Sequence, residues 1–201
     1  VPSVKTKHFA AYTEPKDVSR LLKLIYSYDS SPVVAAALKL APLVFVRPGE
    51  LRKAQWCDID FKRAEWRFKV SKTDSELIVP LSKQALQILK DIQPRTGGGQ
   101  YVFPCHRSSA RPMSENAITA ALRYLGIPKG EMTGHGFRAI ARTLLEEELG
   151  YSYKIIEPQL AHKVCDPLGR AYNRTTHLSE RTKMMQEWAD YLDNLRDEKI
   201  K

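Results

Sequence analysis

In MTGHGFRAIARTLL, residues 132–145, His135 and Arg138 stand three apart, just past a Thr-Gly turn and ahead of an apolar-periodic run. On a helix, positions i and i+3 share a face, and three uses compete for such a pair: core packing, a metal site or an anion site. Other reactive side chains are scattered along the chain. Arg47 and Glu50 follow an apolar run in VRPGELRKAQWCDID; an arginine at such a boundary is costly unless paired or bound to an anion, and taken alone a salt bridge to Glu50 accounts for it. Lys72 falls at the tip of a hairpin expected in KVSKTDSELIVPLS, where it reaches a ligand or simply faces water. His162 and Tyr172, ten apart in QLAHKVCDPLGRAYNR, are each more often structural than catalytic in isolation. A two-histidine metal site would want a third ligand at fixed spacing, and neither H-E-x-x-H nor C-x-x-C occurs. His8, His106 and His177 fit no motif and read as surface or loop residues.

The elements that must position these residues read as mostly helical. TEPKDVSRLLKLIYSY opens with Thr13 or Glu14 before Pro15 and continues with leucines at helical spacing. SPVVAAALKLAPLVFV suits a buried helix, with Pro42 either kinking it or starting another. Trp66, Phe68 and Val70 alternate with Arg67 and Lys69, and Leu77 and Val79 resume the pattern. That is a small antiparallel sheet with its turn near Lys72–Glu76. A helix restarts after the Ser82 N-cap, a loop with a short apolar strand or turn follows from Pro94, and SENAITAALRYLG reads as a helix from the Ser114 cap to Gly126. YSYKIIEPQLAH is a short helical pattern broken by Pro158, and the last segment carries Met184, Met185, Trp188, Leu192 and Leu195 on one helical stripe.

The bulk numbers fit one folded domain with a polyanionic partner. The chain has 201 residues, 43% hydrophobic and 27% charged, with a net charge of +9 spread along its length. Cys57, Cys105 and Cys165 form an odd, widely spaced set, against a disulfide scaffold or zinc ribbon and in keeping with a reducing cytoplasm. No signal peptide or membrane-length apolar run is visible. Residues 1–12 read as a linker from a preceding domain, 13–178 as the main domain and 179–201 as a C-terminal helix that either packs on its own domain or is exchanged between protomers.

Taken in order, Arg47, Glu50 before W-x-D-I-D, the hairpin Lys72 before I-V-P-L, H-x-x-R, L-x-H and A-Y resemble the tyrosine recombinase, or phage integrase, family from Phe45 onward. Within it the chain looks most like the integrases of prophages and genomic islands, with R-P-G-E, H-G-F-R-A-x-A-R-T and A-Y-N-R contexts. The resemblance implies the catalytic-domain fold of DNA breaking-rejoining enzymes, mainly α with a small antiparallel β-sheet. It implies Tyr172 as nucleophile toward a DNA phosphodiester, Arg47 and Arg138 as phosphate clamps, and His135 as the partner that exchanges a proton with Tyr172. Lys72 would protonate the leaving 5′-oxygen, His162 would donate to the phosphate, and Glu50 would orient Arg47 or His135. No metal or other cofactor is expected. The implied partners are double-stranded DNA attachment sites and, for a longer protein, a homotetramer on DNA; the fragment alone would be a monomer or weak dimer in a bacterial or phage-infected cytoplasm, with no membrane association. Two departures, Ala139 after the H-x-x-R arginine and a His162–Tyr172 interval one residue longer than usual, look typical of the genomic-island branch.

Those roles also make physical sense. A phosphorane-like transition state gathers charge on its equatorial oxygens, which fork-shaped guanidiniums match. A tyrosine titrating near about 10 needs a base or cationic field at neutral pH, and histidine, near about 6.5, can serve. Three other readings remain: a non-catalytic DNA-binding module of the same fold, a type IB topoisomerase-like strand transferase, and a metal-dependent nuclease.

Overall fold

The computed structural model describes residues 10–70, 75–162 and 177–198. Lys72, Tyr172, Cys165, His8 and most of the expected 1–12 linker lie outside the described residues.

The centre of the molecule is α2 (Pro32–Val44), which the sequence makes almost wholly apolar; Ala37, Leu38, Leu40 and Val44 are fully buried. Ser31 caps it by accepting from the Val34 N–H at 3.5 Å. Around it lie α1 (Pro15–Tyr26), α4 (Lys83–Thr96), α5 (Ala117–Tyr124), α6 (Gly136–Glu147) and α8 (Leu178–Asp197), with the short α3 (Pro48–Arg52) directly following it. Pro42 neither stops nor restarts α2, which runs on to Val44.

The expected sheet forms. β1 (Ile59–Asp60), β2 (Glu65–Val70) and β3 (Ser75–Pro80) are antiparallel in that order. Trp66 faces Val79, Phe68 faces Leu77 and Val70 faces Ser75, so the period-two apolar face of β2 meets its match on β3. Glu76, expected in the turn, is already a strand residue opposite Lys69.

Three boundaries differ from the sequence reading. α4 is capped by Ser82, whose Oγ accepts from Ala85 at 3.2 Å, but it continues through Pro94 to Thr96. Pro94 cannot donate to the carbonyl of Lys90, an exposed residue near the end of the helix. α5 begins at Ala117, not after Ser114; the Ser114 hydroxyl instead holds the preceding turn by accepting from Asn116 at 3.3 Å. The loop after α4 contains a second small sheet, β4 (Pro104–Cys105) against β5 (Ser108–Pro112). Its second strand, SSARP, is polar and carries no apolar alternation to read. α7 (Tyr153–Gln159) likewise accommodates Pro158 in its last turn.

The stripe on α8 is covered by the chain's own helices. Met184, Met185 and Trp188 are fully buried, the Trp188 indole N–H donates to the Pro42 carbonyl at 2.9 Å, and Ser19 on α1 donates to the Leu195 carbonyl at 2.5 Å. No described helix is long and apolar enough to cross a membrane.

Candidate active site

Two helix ends meet where the arginines gather, and both close on a left-handed, non-glycine residue. α2 ends at Phe45, with φ 36° and ψ 35°, after which the chain turns extended at Arg47 to start α3. α7 ends in a Schellman motif: the His162 N–H bonds the Glu157 carbonyl and the Ala161 N–H bonds that of Pro158, both at 3.1 Å, with Ala161 at φ 50°. A bulky residue at positive φ costs about 1–3 kcal/mol and persists only where surrounding structure over-determines it. For Phe45 that structure is the core, since its ring is fully buried and meets Trp188 edge-on at 6.4 Å.

The carbonyls at these ends hold the guanidiniums. Arg138, one turn into α6, donates from Nη1 to the Phe45 carbonyl at 3.0 Å and from Nη2 to that of Leu160 at 2.7 Å. Arg47 donates to the next carbonyl, Ala161, at 3.2 Å, and to Glu50 Oε1 at 3.2 Å. Glu50 Oε2 accepts from the Arg47 backbone N–H at 3.1 Å, half of a capping box, so Glu50 holds both the backbone and the side chain of Arg47. Burial and the Arg47 charge push Arg138 down to about 10, against a smaller pull from Glu50 and Glu157. Like charges are therefore concentrated here, an arrangement an anion would relieve.

Both histidines of the motif reach this place. His135 is the N-cap residue of α6. Its pKa is lowered by burial first, then by Arg138 and Arg47, which favours the neutral ring that a proton acceptor needs. It borders a groove of about 1140 Å³ lined also by Pro48, Arg52, Lys53 and Lys129. His162 Nε2 is 3.1 Å from Arg138 Nη2, and its Nδ1 is 2.6 Å from Glu157 Oε2. Thus Arg47, Glu50, His135, Arg138 and His162 come together; Lys72 and Tyr172 lie outside the described residues. Among the described residues no three His, Cys, Asp or Glu side chains gather as metal ligands would.

Three residues here escaped the sequence reading. Glu157 joins Arg142, at 2.8 Å, to His162, and its only sequence signal is an acidic residue one helical turn before L-x-H. Gly136 lets the first turn of α6 approach residue 10: a Cβ there would sit 2.9 Å from the Ala10 carbonyl oxygen. Arg181 is fully buried on α8 and donates to Gln159 Oε1 on α7 at 2.6 Å and to the Ile78 carbonyl on β3. Its signal was an arginine on the apolar stripe, one turn before Met184 and Met185. The neighbouring tyrosines are occupied elsewhere or open to solvent. Tyr151 donates to Glu187 at 2.6 Å, with its pKa raised by burial and that carboxylate, and Tyr153 is half exposed.

Residues 11–178 match the Phage integrase family. The chain belongs to that family. It is 36% identical over 214 residues to the integrase of Enterobacteria phage P4, covering 98% of this chain and 48% of that protein. It is 40% identical over 150 residues to the prophage integrase IntA of Escherichia coli K12, covering 74% and 36%. The chain spans about half the length of the integrase-family relatives it matches most fully. Its fold resembles the lambda integrase catalytic core (TM-score 0.58, 21% identity, 83% of this chain and 98% of that one) and XerA recombinase (TM-score 0.62, 18% identity, 99% and 68%). A lambda integrase dimer bound to a COC′ core site is also similar, at TM-score 0.61 and 22% identity over 86% of this chain and 53% of that one.

Proposed function

We propose that this chain is the catalytic part of a site-specific DNA recombinase that integrates or excises a mobile element. The observation that carries the reading is the convergence of Arg47 and Arg138 on the adjacent carbonyls of Ala161 and Leu160, with His135 and His162 beside them. In the reaction, the Tyr172 oxygen attacks the scissile phosphorus, forming a 3′-phosphotyrosyl bond, while the bond to the 5′-oxygen breaks. His135 takes the phenol proton. Lys72 gives a proton to the departing 5′-oxygen. Arg47 and Arg138 turn from the carbonyls to the non-bridging oxygens, His162 donates to one of them, and Glu50 holds Arg47. Rejoining runs the same steps backwards, so the bond energy is kept and no cofactor is required.

The partner is double-stranded DNA carrying attachment sites, as for the DNA-bound relatives, and the working assembly on DNA is a homotetramer, as in the lambda integrase tetramer bound to a Holliday junction. Residues 1–12 lead from an N-terminal core-binding domain, 13–178 form the catalytic domain, and 179–201 pack at home or exchange between protomers. The protein works in the cytoplasm of a bacterial host, and this chain alone is a monomer or weak dimer.

The test is adduct trapping on nicked suicide DNA, in chelator, with Tyr172→Phe alongside. An adduct in the wild type and none in the variant supports the reading. A protein restored to full length that binds DNA and forms no adduct overturns it in favour of a non-catalytic module. Loss of strand cleavage in chelator would favour a metal-dependent nuclease, and supercoil relaxation without recombination of two sites a topoisomerase-like enzyme. DNA binding should weaken steeply with salt, because Lys and Arg contacts to phosphate release counterions; a flat titration would contradict it.

A further inference from the structure

Arg138 has only donors to offer. The 3.1 Å contact between its Nη2 and His162 Nε2 therefore requires Nε2 to accept, which places the ring proton on Nδ1, where Glu157 Oε2 receives it at 2.6 Å. In the described arrangement His162 is a neutral ring whose Nε2 points the wrong way, chemically, for a phosphate oxygen: both are acceptors. A phosphate that takes Arg138 away also takes away the donor of Nε2. The ring can then donate to that phosphate only by gaining a proton, since Nδ1–H is committed to Glu157.

We propose, on the basis of the recombinase reading above, that Glu157 is a positioning residue that makes phosphate binding draw one proton from solvent onto Nε2 of His162. The resulting imidazolium sits between the phosphate and the Glu157 carboxylate. Glu157 is built for this. It is half-buried at the end of α7, with its second oxygen fixed by Arg142 Nε at 2.8 Å. Burial raises its pKa, but the hydrogen bonds from Arg142 and His162, with the Arg142 charge, outweigh that and hold it below the usual carboxylate range, so it stays an anion. Arg138 and Arg142 lie four apart on α6, Glu157 and His162 five apart across the Schellman turn of α7, and the two pairs interlock. The other titratable groups at the site are Arg47 and Glu50 from the α2–α3 junction and His135 at the α6 N-cap, with Arg47 adding to the positive side.

The two neighbours of His162 predict opposite effects. Glu157→Gln removes the counter-charge, so the alkaline limb of single-turnover cleavage moves down by about one pH unit or more, about tenfold slower on that limb. Arg142→Gln leaves the carboxylate less neutralised, so the limb moves up. Arg142 is half exposed, which makes this variant safe for folding. In a His162→Lys background, whose cation does not titrate in this range, neither substitution moves the limb.

The measurement is the pH profile of cleavage of nicked suicide DNA by these variants, with Glu157→Asp as the conservative replacement that restores the limb. Opposite shifts, abolished by His162→Lys, support the proposal. Equal slowing by both variants with an unmoved limb makes Glu157 a structural prop and overturns it, while leaving the recombinase reading intact. Absence of any Tyr172-dependent adduct in the wild type overturns the recombinase reading itself.

Discussion

Arg138 and Arg181 carry guanidiniums that have each been pushed down to about 10, yet one stands at the site and the other inside a joint. Arg181 is fully enclosed, ties α7 to β3 through Gln159 and Ile78, and burial is the cause of its shift. Arg138 is only part-buried, and a second arginine adds to the effect of burial. Both donate to backbone carbonyls, so hydrogen bonding does not separate them. What separates them is an open face and a like charge nearby: desolvation alone makes a strut, whereas desolvation beside another cation makes a seat for an anion.

The contrast breaks most visibly at the chemistry. Arg138→Ala should slow single-turnover DNA cleavage by about 10²–10³-fold or more, as loss of one preorganised donor to a developing charge does. The same variant should move the urea midpoint little, because relief of repulsion from Arg47 offsets the lost carbonyl bonds. A large fall in stability would make Arg138 a strut as well. Arg181→Ala should do the reverse first: it strips donors from the buried Gln159 amide oxygen and the Ile78 carbonyl and should cost about 2–4 kcal/mol in chemical denaturation. Its DNA binding, measured while folded, should keep the wild-type salt slope, since no phosphate contact is lost.

A subtler separation lies in pH. The folded-state pKa of His135 is lowered, so the folded protein binds fewer protons than the unfolded chain just below the ordinary histidine value of 6.5. Stability from this group is therefore complete above that value and falls as pH drops through it towards the folded pKa. Arg138→Ala should raise the His135 titration, followed by NMR of its ring protons, whereas Arg181→Ala should leave it in place. The smallest effect expected is at the α8 joint, where Trp188→Phe loses the hydrogen bond to Pro42 and should cost about 1 kcal/mol.

Much of this site was legible because order along the chain carries information that single residues lack. Arg47, His135, Arg138 and His162 are each commonplace alone, and their sequence in register pointed to one place. The α2 core helix and the β2–β3 pairing were legible for a simpler reason, since apolar periodicity names the face that must be buried. What escaped was set by three-dimensional neighbours. The α4 and α7 helices pass through Pro94 and Pro158 because a last turn tolerates a missing donor. An acidic residue one turn before L-x-H is all the local sequence offers for the meeting of Glu157 and His162, because the Schellman turn that brings them together uses Ala161, where glycine is the usual marker. Arg181 broke its apolar stripe in plain view, but its partners sit on β3 and α7, far away in sequence.

Phe45 joins the core to the cluster of arginines. Its backbone conformation favours glycine, yet its ring is enclosed against Trp188, and its carbonyl receives Arg138. A glycine that relaxed the backbone would empty the core where the Phe45 ring now sits. Residue 45 thus makes interior packing and the placement of Arg138 one and the same problem, solved by a single side chain and its own carbonyl.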